Sequence, residues 1–83
     1  MAHDVRLAKL GPNMKEGLIV AWLKGEGDRV TEGEPLFQVE TDKAVTEVEA
    51  PVSGVLTHIV KPEGDRVPVG EVVAVIESQV AGE

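Results

Sequence analysis

Only a few side chains in this sequence of 83 residues are of types that do covalent chemistry. The chain has no cysteine, which excludes a thiol nucleophile, a disulfide framework and a thiolate metal site. Ser53 and Ser78 lie in turn or tail contexts with no base beside them, and His3 and His58 are too distant in sequence to indicate a metal site. We therefore expect neither catalytic residues nor a metal site in this chain.

Lys43 is the side chain whose position favours a chemical role. It lies with Asp42 at the tip between two predicted strands, and this tip lacks the Asn-Gly or Asp-Gly pair that a tight hairpin prefers. An ordinary lysine is protonated at neutral pH and is a poor nucleophile, so acylation would require a separate enzyme that presents an activated acyl group. Turn chemistry alone leaves two interpretations open, a lysine modified by such an enzyme or an ordinary surface lysine.

The composition limits the kinds of partner. The chain has 8 basic and 15 acidic residues, a net charge of −7, which repels nucleic-acid phosphates and anionic lipid and suits a basic protein surface. No apolar run approaches the roughly 20 residues of a membrane span, and the first residues do not resemble a signal peptide. We expect no nucleic-acid or membrane binding, and a location in the cytoplasm or the mitochondrial matrix.

An internal repeat surrounds Lys43. Gly17–Glu40 laid over Gly54–Glu77, a shift of 37 residues, coincides at 10 of 24 positions. The centre of each copy reads Lys-x-Glu-Gly-Asp-Arg-Val, as Lys24–Val30 and Lys61–Val67. Two copies are too few for a solenoid, so the repeat predicts one closed domain made of two similar halves.

The repeated turns have a simple structural interpretation. Gly27 and Gly64 occupy the same repeat position, which predicts a positive φ at both. The repeated charged residues around them are interpreted as solvated turn residues and not as a duplicated binding site.

The strand pattern predicts an all-β fold. Valine supplies 15 of the 83 residues, and turn signals recur every several residues with no helical periodicity. The predicted strands are Asp4–Leu10, Leu18–Leu23, Arg29–Val30, Leu36–Thr41, Ala44–Ala50, Val55–Val60, Arg66–Val67 and Val72–Glu77. Eight short strands indicate a small β-sandwich or flattened barrel over residues 1–77, with residues 78–83 beginning a linker or tail.

The motifs around the tip carry a family resemblance. The sequence reads Glu-Thr-Asp-Lys-Ala over Glu40–Ala44 and Val-Glu-Ala-Pro over Val48–Pro51, and opens with Leu-Gly-Pro-x-Met-x-Glu-Gly over Leu10–Gly17. Together with both Glu-Gly-Asp-Arg-Val turns, these motifs resemble the lipoyl domain of 2-oxo acid dehydrogenase acyltransferases. The resemblance extends from about Val5 to Ile76.

This resemblance implies a fold and a role. The fold would be two four-stranded antiparallel sheets related by a quasi two-fold axis, and Lys43 would carry lipoic acid as an N6-lipoyl amide attached by a lipoyl ligase. A thiamine-diphosphate-dependent 2-oxo acid decarboxylase would supply the acyl group, the acyltransferase core would receive it, and dihydrolipoamide dehydrogenase would reoxidise the dithiol. The isolated domain is expected to be a monomer and would carry the acyl group without catalysing its transfer. It would belong to a longer dihydrolipoamide acyltransferase.

The resemblance also assigns recognition residues to the surroundings of Lys43. They are Glu40, Thr41, Asp42, Ala44, Met14 and Glu16. The first four would shape the tip that the ligase and the decarboxylase read, and the last two belong to the loop Gly11–Gly17, which in the family lies near the lipoyl-lysine.

Several alternatives stay open at this point. The Met14-x-Glu16-Gly17 opening resembles pyruvate-type complexes, with acetoin or branched-chain 2-oxo acid complexes as alternatives. Biotinyl carriers resemble the same fold, but their lysine typically lies between two methionines, where this chain has Asp42 and Ala44. From another class, an unmodified β-sandwich interaction module would share the fold and charge but would lose nothing on substitution of Lys43.

Overall fold

The computed structural model describes residues 1–78 and builds them from eight β-strands. The strands are β1 Ala2–Arg6, β2 Glu16–Trp22, β3 Arg29–Val30, β4 Pro35–Glu40, β5 Val45–Glu49, β6 Gly54–Ile59, β7 Arg66–Pro68 and β8 Val72–Ser78. Every strand predicted from the sequence is present, and all except β1 agree with the predicted bounds within two residues. The predicted linker falls on residues 79–83, which lie outside the described residues, and on Ser78, which ends β8.

The strands form two four-stranded antiparallel sheets with matching orders. One sheet has the order β1-β8-β6-β3 and the other β5-β4-β2-β7. Exchanging the two halves of the chain converts one order into the other, because β1 corresponds to β5, β8 to β4, β6 to β2 and β3 to β7. This arrangement confirms the flattened sandwich with internal quasi two-fold symmetry.

The first strand ends four residues earlier than predicted. Leu7 leaves the ladder with β8 because its N–H donates to the Glu71 carbonyl at 3.0 Å, while its own carbonyl accepts from the Gly70 N–H at 2.9 Å. The chain after Leu7 is therefore free of β8 and forms a loop that reaches β2 at Glu16.

The core lies between the two sheets and is wholly apolar among the described residues. Phe37 is the largest fully buried side chain, and its ring is tilted against that of Trp22 with centroids 4.7 Å apart. The buried set is Val5, Leu7, Ile19, Val30, Leu36, Phe37, Val39, Ala50, Leu56, Val67, Val73, Ala74 and Ile76. This β-branched and aliphatic packing makes the sandwich a stiff support for the hairpins at its ends.

The repeated glycines adopt the predicted conformation. Gly27 has a φ of 93° and Gly64 a φ of 92°. The Gly27 N–H donates to the Leu56 carbonyl and the Gly64 N–H to the Ile19 carbonyl, each at 2.7 Å. Each turn therefore binds the opposite half of the chain.

The repeated glutamates of these turns are bonded as well, so their interpretation as solvated turn residues was incomplete. A carboxylate oxygen of Glu26 accepts from the Ile59 N–H at 2.8 Å, and one of Glu63 accepts from the Trp22 N–H at 3.0 Å. These equivalent bonds cross from one half to the other, which explains the repetition structurally.

The repeated lysines form equivalent ion pairs. The Lys24 ammonium lies 3.0 Å from the Glu34 carboxylate, and the Lys61 ammonium 3.6 Å from that of Glu71. The Glu34 carboxylate also accepts the Thr31 N–H at 3.0 Å, and this bond, followed by the Lys24 partner, lowers the pKa of Glu34 from its ordinary value. The repeated charged residues thus stabilise the two halves, and Lys43 takes no part in their ion pairs.

Candidate functional site

The predicted tip is a hairpin between β4 and β5. Glu40 pairs with Val45 in the ladder, and the Thr41 N–H then donates to the Ala44 carbonyl at 2.9 Å. Asp42 and Lys43 are left as the two apical residues.

This hairpin turns without glycine because its backbone needs no positive φ. Among residues 1–78, positive φ occurs only at glycines. The Thr41 hydroxyl supports the turn, since its Oγ1 accepts the Lys43 N–H at 3.4 Å and donates to the Ala44 carbonyl at 3.3 Å. The side chain of Thr41 therefore holds the backbone on which Lys43 is presented.

The Lys43 side chain is exposed and has no hydrogen bond or ion pair with any part of the chain that the structure describes. Four exposed carboxylates, Glu40, Asp42, Glu47 and Glu49, lie on the same hairpin. Lys43 is the single cation between residues 38 and 49. The hairpin thus presents one reachable amine on an acidic surface.

A break in the internal symmetry places a second segment beside this tip. Ala2 on β1 pairs with Glu77, and Val45 on β5 pairs with Glu40, so Ala2 and Val45 hold equivalent positions in the two halves. These two positions are 43 residues apart in sequence, whereas equivalent positions in the rest of the repeat are 37 residues apart. The difference of 6 residues is inserted between β1 and β2, within residues 7–15. The first half therefore carries an extra loop that the second half lacks.

Two open cavities lie between this loop and the tip. The first, of about 370 Å³, is lined by Leu10, Gly11, Pro12, Asn13, Met14, Thr41, Asp42, Lys43, Ala44 and Thr46. The second, of about 470 Å³, is lined by Asn13, Met14, Lys15, Glu16, Leu18, Glu40, Thr41, Asp42 and Arg66. The structure brings together Lys43 and all six predicted recognition residues around these cavities, and their roles there stay predictions.

Met14 lines both cavities, as do Asn13, Thr41 and Asp42. Its Sδ accepts the Leu10 N–H at 3.1 Å, and its side chain packs against the core beside Gly17. A Cβ at Gly17 would lie 2.5 Å from Val39 Cγ2 and 3.3 Å from the Met14 methyl carbon, so a larger residue there would have to displace Val39 and would crowd Met14. Met14 covers this end of the sandwich and also shapes both cavities.

Sequence reasoning did not assign four of the lining residues to this site, namely Leu10, Leu18, Thr46 and Arg66. Arg66 was predicted to begin a short strand after a repeated turn, but it lines the second cavity and its guanidinium lies 3.3 Å from the Glu16 carboxylate. Leu10 was predicted to end the first strand, but it follows that strand and its exposed side chain lines the first cavity. The pairing of β7 with β2, which the quasi two-fold symmetry requires, is the signal that would have placed Arg66 here.

The histidines lie apart from this site, His3 on β1 and His58 exposed on β6. The described residues contain no cluster of three or more histidine, aspartate or glutamate side chains that is suited to hold a metal ion. Nor does any helix in this part of the chain have the length and apolar character needed to cross a membrane.

Comparison with known proteins places the chain in a family. Residues 3–76 match the family described as "Biotin-requiring enzyme". The solution structure of the lipoyl domain of the 2-oxoglutarate dehydrogenase complex from Azotobacter vinelandii superposes with a TM-score of 0.72 at 36% identity, covering 90% of this chain and 96% of that domain. The shared fold thus extends over a whole solved domain.

Two relatives are longer proteins. The chain is 48% identical over 59 residues to the dihydrolipoyllysine-residue acetyltransferase component of the pyruvate dehydrogenase complex of Corynebacterium glutamicum, covering 71% of this chain and 9% of that protein. It is 50% identical over 54 residues to the corresponding component of the acetoin cleaving system of Pseudomonas putida, covering 65% of this chain and 15% of that protein. The chain therefore spans a small part of each, and it belongs to the biotin/lipoyl attachment family, which confirms the resemblance found in its motifs.

Proposed function

We propose that this chain is a lipoyl-bearing acyl carrier domain, with the lipoyl group in amide linkage to Lys43 Nζ. The observation that carries the proposal is the Lys43 side chain itself, which is exposed, without a partner among residues 1–78, and at the apex of a hairpin fixed by Thr41. A ligase can reach such an amine without unfolding any part of the sandwich. The residues present therefore fit the attachment of a carboxylic acid cofactor.

The protein part of the function is presentation. A bound lipoyl group would supply a disulfide that is reduced as it takes up an acyl group. The stiff sandwich presents Lys43 at the apex of a hairpin, and the repeated lysines Lys24 and Lys61 are instead engaged in ion pairs with Glu34 and Glu71. Tethering a carrier in this way replaces free diffusion with a high effective concentration at each partner site.

Two observations support lipoate over biotin. Asp42 and Ala44 flank the lysine where a biotinyl carrier typically has methionines. The relatives from Corynebacterium glutamicum and Pseudomonas putida are both named dihydrolipoyllysine-residue acetyltransferase components. We therefore assign lipoic acid as the cofactor.

The parent protein in this proposal is a dihydrolipoamide acyltransferase of a 2-oxo acid dehydrogenase complex, of the pyruvate type. Its partners would be a thiamine-dependent decarboxylase, the acyltransferase core, dihydrolipoamide dehydrogenase and a lipoyl ligase. An acetoin complex is the second candidate, because the relative from the acetoin cleaving system is 50% identical over the region that it matches.

Intact mass after treatment with a lipoyl ligase, lipoate and ATP tests the proposal. We expect one lipoyl increment, mapped to Lys43 by peptide analysis, absent from Lys43→Arg and retained in Lys9→Arg, which changes an exposed lysine that lines neither cavity. An increment only with a biotin ligase and biotin would favour a biotin carrier instead. No increment with either ligase, while a control domain is modified, would leave an unmodified interaction module and overturn the proposal.

A further inference from the structure

The cavity of about 370 Å³ beside Lys43 has features that the carrier role does not require. Its volume lies within the roughly 300–1,000 Å³ typical of small-molecule sites. Apolar groups of Leu10, Pro12, Met14 and Ala44 contribute to its wall. Leu10, which is 40% exposed, keeps the apolar part of this wall accessible from solvent.

The loop that forms one side of this cavity is the insertion that breaks the internal symmetry. Its conformation is held locally, by the bond from the Leu10 N–H to Met14 Sδ and by that from the Met14 N–H to the Gly11 carbonyl at 3.2 Å. The cavity wall is therefore formed by the fold before any ligand arrives.

Lys43 is part of the opposite wall of the same cavity. A group attached to Lys43 Nζ is tethered at the cavity edge, so its local concentration there is high without any partner. The flexible lysine stem allows that group to fold back. No free small molecule has this advantage.

The charge at Lys43 Nζ determines whether the lysine side chain and any group attached to it, together called the arm, can enter the cavity. The ammonium of unmodified Lys43 keeps its hydration and is unsuited to an apolar wall. Amide formation removes the positive charge and adds a saturated chain ending in a sulfur-containing ring, which is apolar. The modified arm, unlike the free lysine, matches the wall that Leu10, Pro12 and Met14 provide.

We propose that the cavity between the Leu10–Met14 loop and the hairpin is a docking site for the chain's own lipoyl arm, which rests there between visits to partner enzymes. This inference depends on the lipoylation of Lys43 proposed above. The docked arm is partly sheltered from solvent, and the undocked arm is free to reach a partner.

The test compares the unmodified and fully lipoylated domain by amide NMR, with modification confirmed by mass. Docking predicts chemical-shift changes at Leu10, Gly11, Asn13 and Met14 on lipoylation, beyond those at residues 42–44 that the new bond itself causes. The reduced arm keeps the same saturated chain and ends in uncharged thiols, so it should dock as well. After reduction with a phosphine and removal of the phosphine, these thiols should react with a disulfide reagent about threefold to tenfold more slowly than free dihydrolipoamide, because only the undocked fraction reacts.

A matched pair of variants separates docking from general effects. Leu10→Ser removes an apolar wall residue that is 40% exposed, and Leu23→Ser removes a leucine that is 43% exposed after the far end of β2. Leu10→Ser should abolish the chemical-shift changes in the Leu10–Met14 loop and restore the reaction rate of the thiols to that of free dihydrolipoamide. Leu23→Ser should keep the wild-type chemical-shift changes and thiol reaction rate.

The failure modes are distinguishable. Full lipoylation with shifts confined to residues 42–44 and thiols as reactive as free dihydrolipoamide would overturn the docking site and leave the carrier role intact. Equal effects of Leu10→Ser and Leu23→Ser would also overturn it. Absence of any lipoyl increment on Lys43 would overturn the carrier role, and the docking site with it.

Discussion

Gly27 and Leu56 are joined by a 2.7 Å hydrogen bond from the glycine N–H to the leucine carbonyl, and the return bond from the Leu56 N–H to the Asp28 carbonyl measures 2.8 Å. The quasi two-fold axis repeats both bonds at Gly64 and Ile19. Each half of the chain is thus completed by a turn from the other half, so neither half has all its backbone partners alone. This mutual closure explains why the turn sequence is repeated when most other positions have diverged.

Substitution of the turn glycines should therefore destabilise the fold through backbone strain. In Gly27→Ala or Gly64→Ala the added Cβ has open space, so the cost is that of a left-handed conformation, about 1–2 kcal/mol in the free energy of unfolding. Gly25→Ala is the matched control, because Gly25 lies in the same turn without a positive φ and should stay within about 0.5 kcal/mol of wild type. Urea unfolding measures all three. Equal stabilities of the Gly25 and Gly27 variants would contradict the strain argument.

A second repeated glycine pair, Gly17 and Gly54, should respond differently, because close contact with neighbouring atoms limits it. A Cβ at Gly54 would overlap the Glu77 backbone carbonyl of the paired strand, which cannot move without breaking the ladder. A Cβ at Gly17 meets the Val39 side chain, which has some freedom to shift. We expect Gly54→Ala to lower the free energy of unfolding by about 3 kcal/mol or more, and Gly17→Ala by about 1–3 kcal/mol. The reverse order in urea unfolding would show that the strands separate more easily than the valine repacks.

Much of the fold could be predicted because its signals are local or repeated. Apolar runs rich in valine, bounded by turn signals, located all eight strands, and the doubled turn sequence identified two similar halves. The end of β1 was wrong, because it depends on Leu7 binding to the turn that precedes β8, a contact between residues far apart in sequence. The bonded state of Glu26 and Glu63 was missed for the same reason, since their partners lie on the opposite half.

The apex of the candidate site was predictable from its own residues, whereas the nearness of the Gly11–Gly17 loop to that apex was predicted only through the family resemblance. The absence of glycine beside Lys43 was visible in the sequence, and the hydroxyl of Thr41 supplies the physical reason. The cavities depend on how an inserted loop folds against a hairpin about 30 residues later, and no periodic signal encodes that approach. Arg66 reaches the site only through the pairing of β7 with β2.

Glu34 should make the stability of the domain depend on pH. Because bonding to the Thr31 N–H and to Lys24 lowers the pKa of Glu34 in the folded state, its contribution is full above the ordinary value of 4.5 and is lost as the pH falls through the lower folded value. Glu34→Gln should be less stable than wild type at neutral pH, and the difference should close in acid. Glu32→Gln removes an equal charge from a nearby side chain that has no partner among the described residues and should show no such closing gap. Urea unfolding across pH measures this, and a constant gap for Glu34→Gln would contradict the assignment.

The hydroxyl of Thr41 should matter more to lipoylation than to stability. Thr41→Val removes the groups that bond the Lys43 N–H and the Ala44 carbonyl, so the lysine loses its fixed presentation. The initial rate of lipoylation should fall about threefold to tenfold, because misplacement of a reacting group slows transfer. Thr57→Val is the matched control, since the Thr57 hydroxyl donates to the Val75 carbonyl at 3.1 Å on β6, away from the tip. Equal ligase rates for the two variants, measured by mass over time, would show that the turn does not depend on this hydroxyl.

The acidic surface around Lys43 should set the salt dependence of its recognition. Glu40 ends β4 beside the tip, while Glu32 precedes the opposite end of the same strand, and both are exposed. If the ligase meets the hairpin through a basic surface, Glu40→Gln should raise its KM about twofold to fivefold at low ionic strength with little change in kcat, and Glu32→Gln should not. The difference should shrink as salt is raised, because exposed charges are screened over about 8 Å at 0.15 M. A KM for Glu40→Gln that is raised equally at low and high salt would instead indicate a direct contact at Glu40 that does not act through charge.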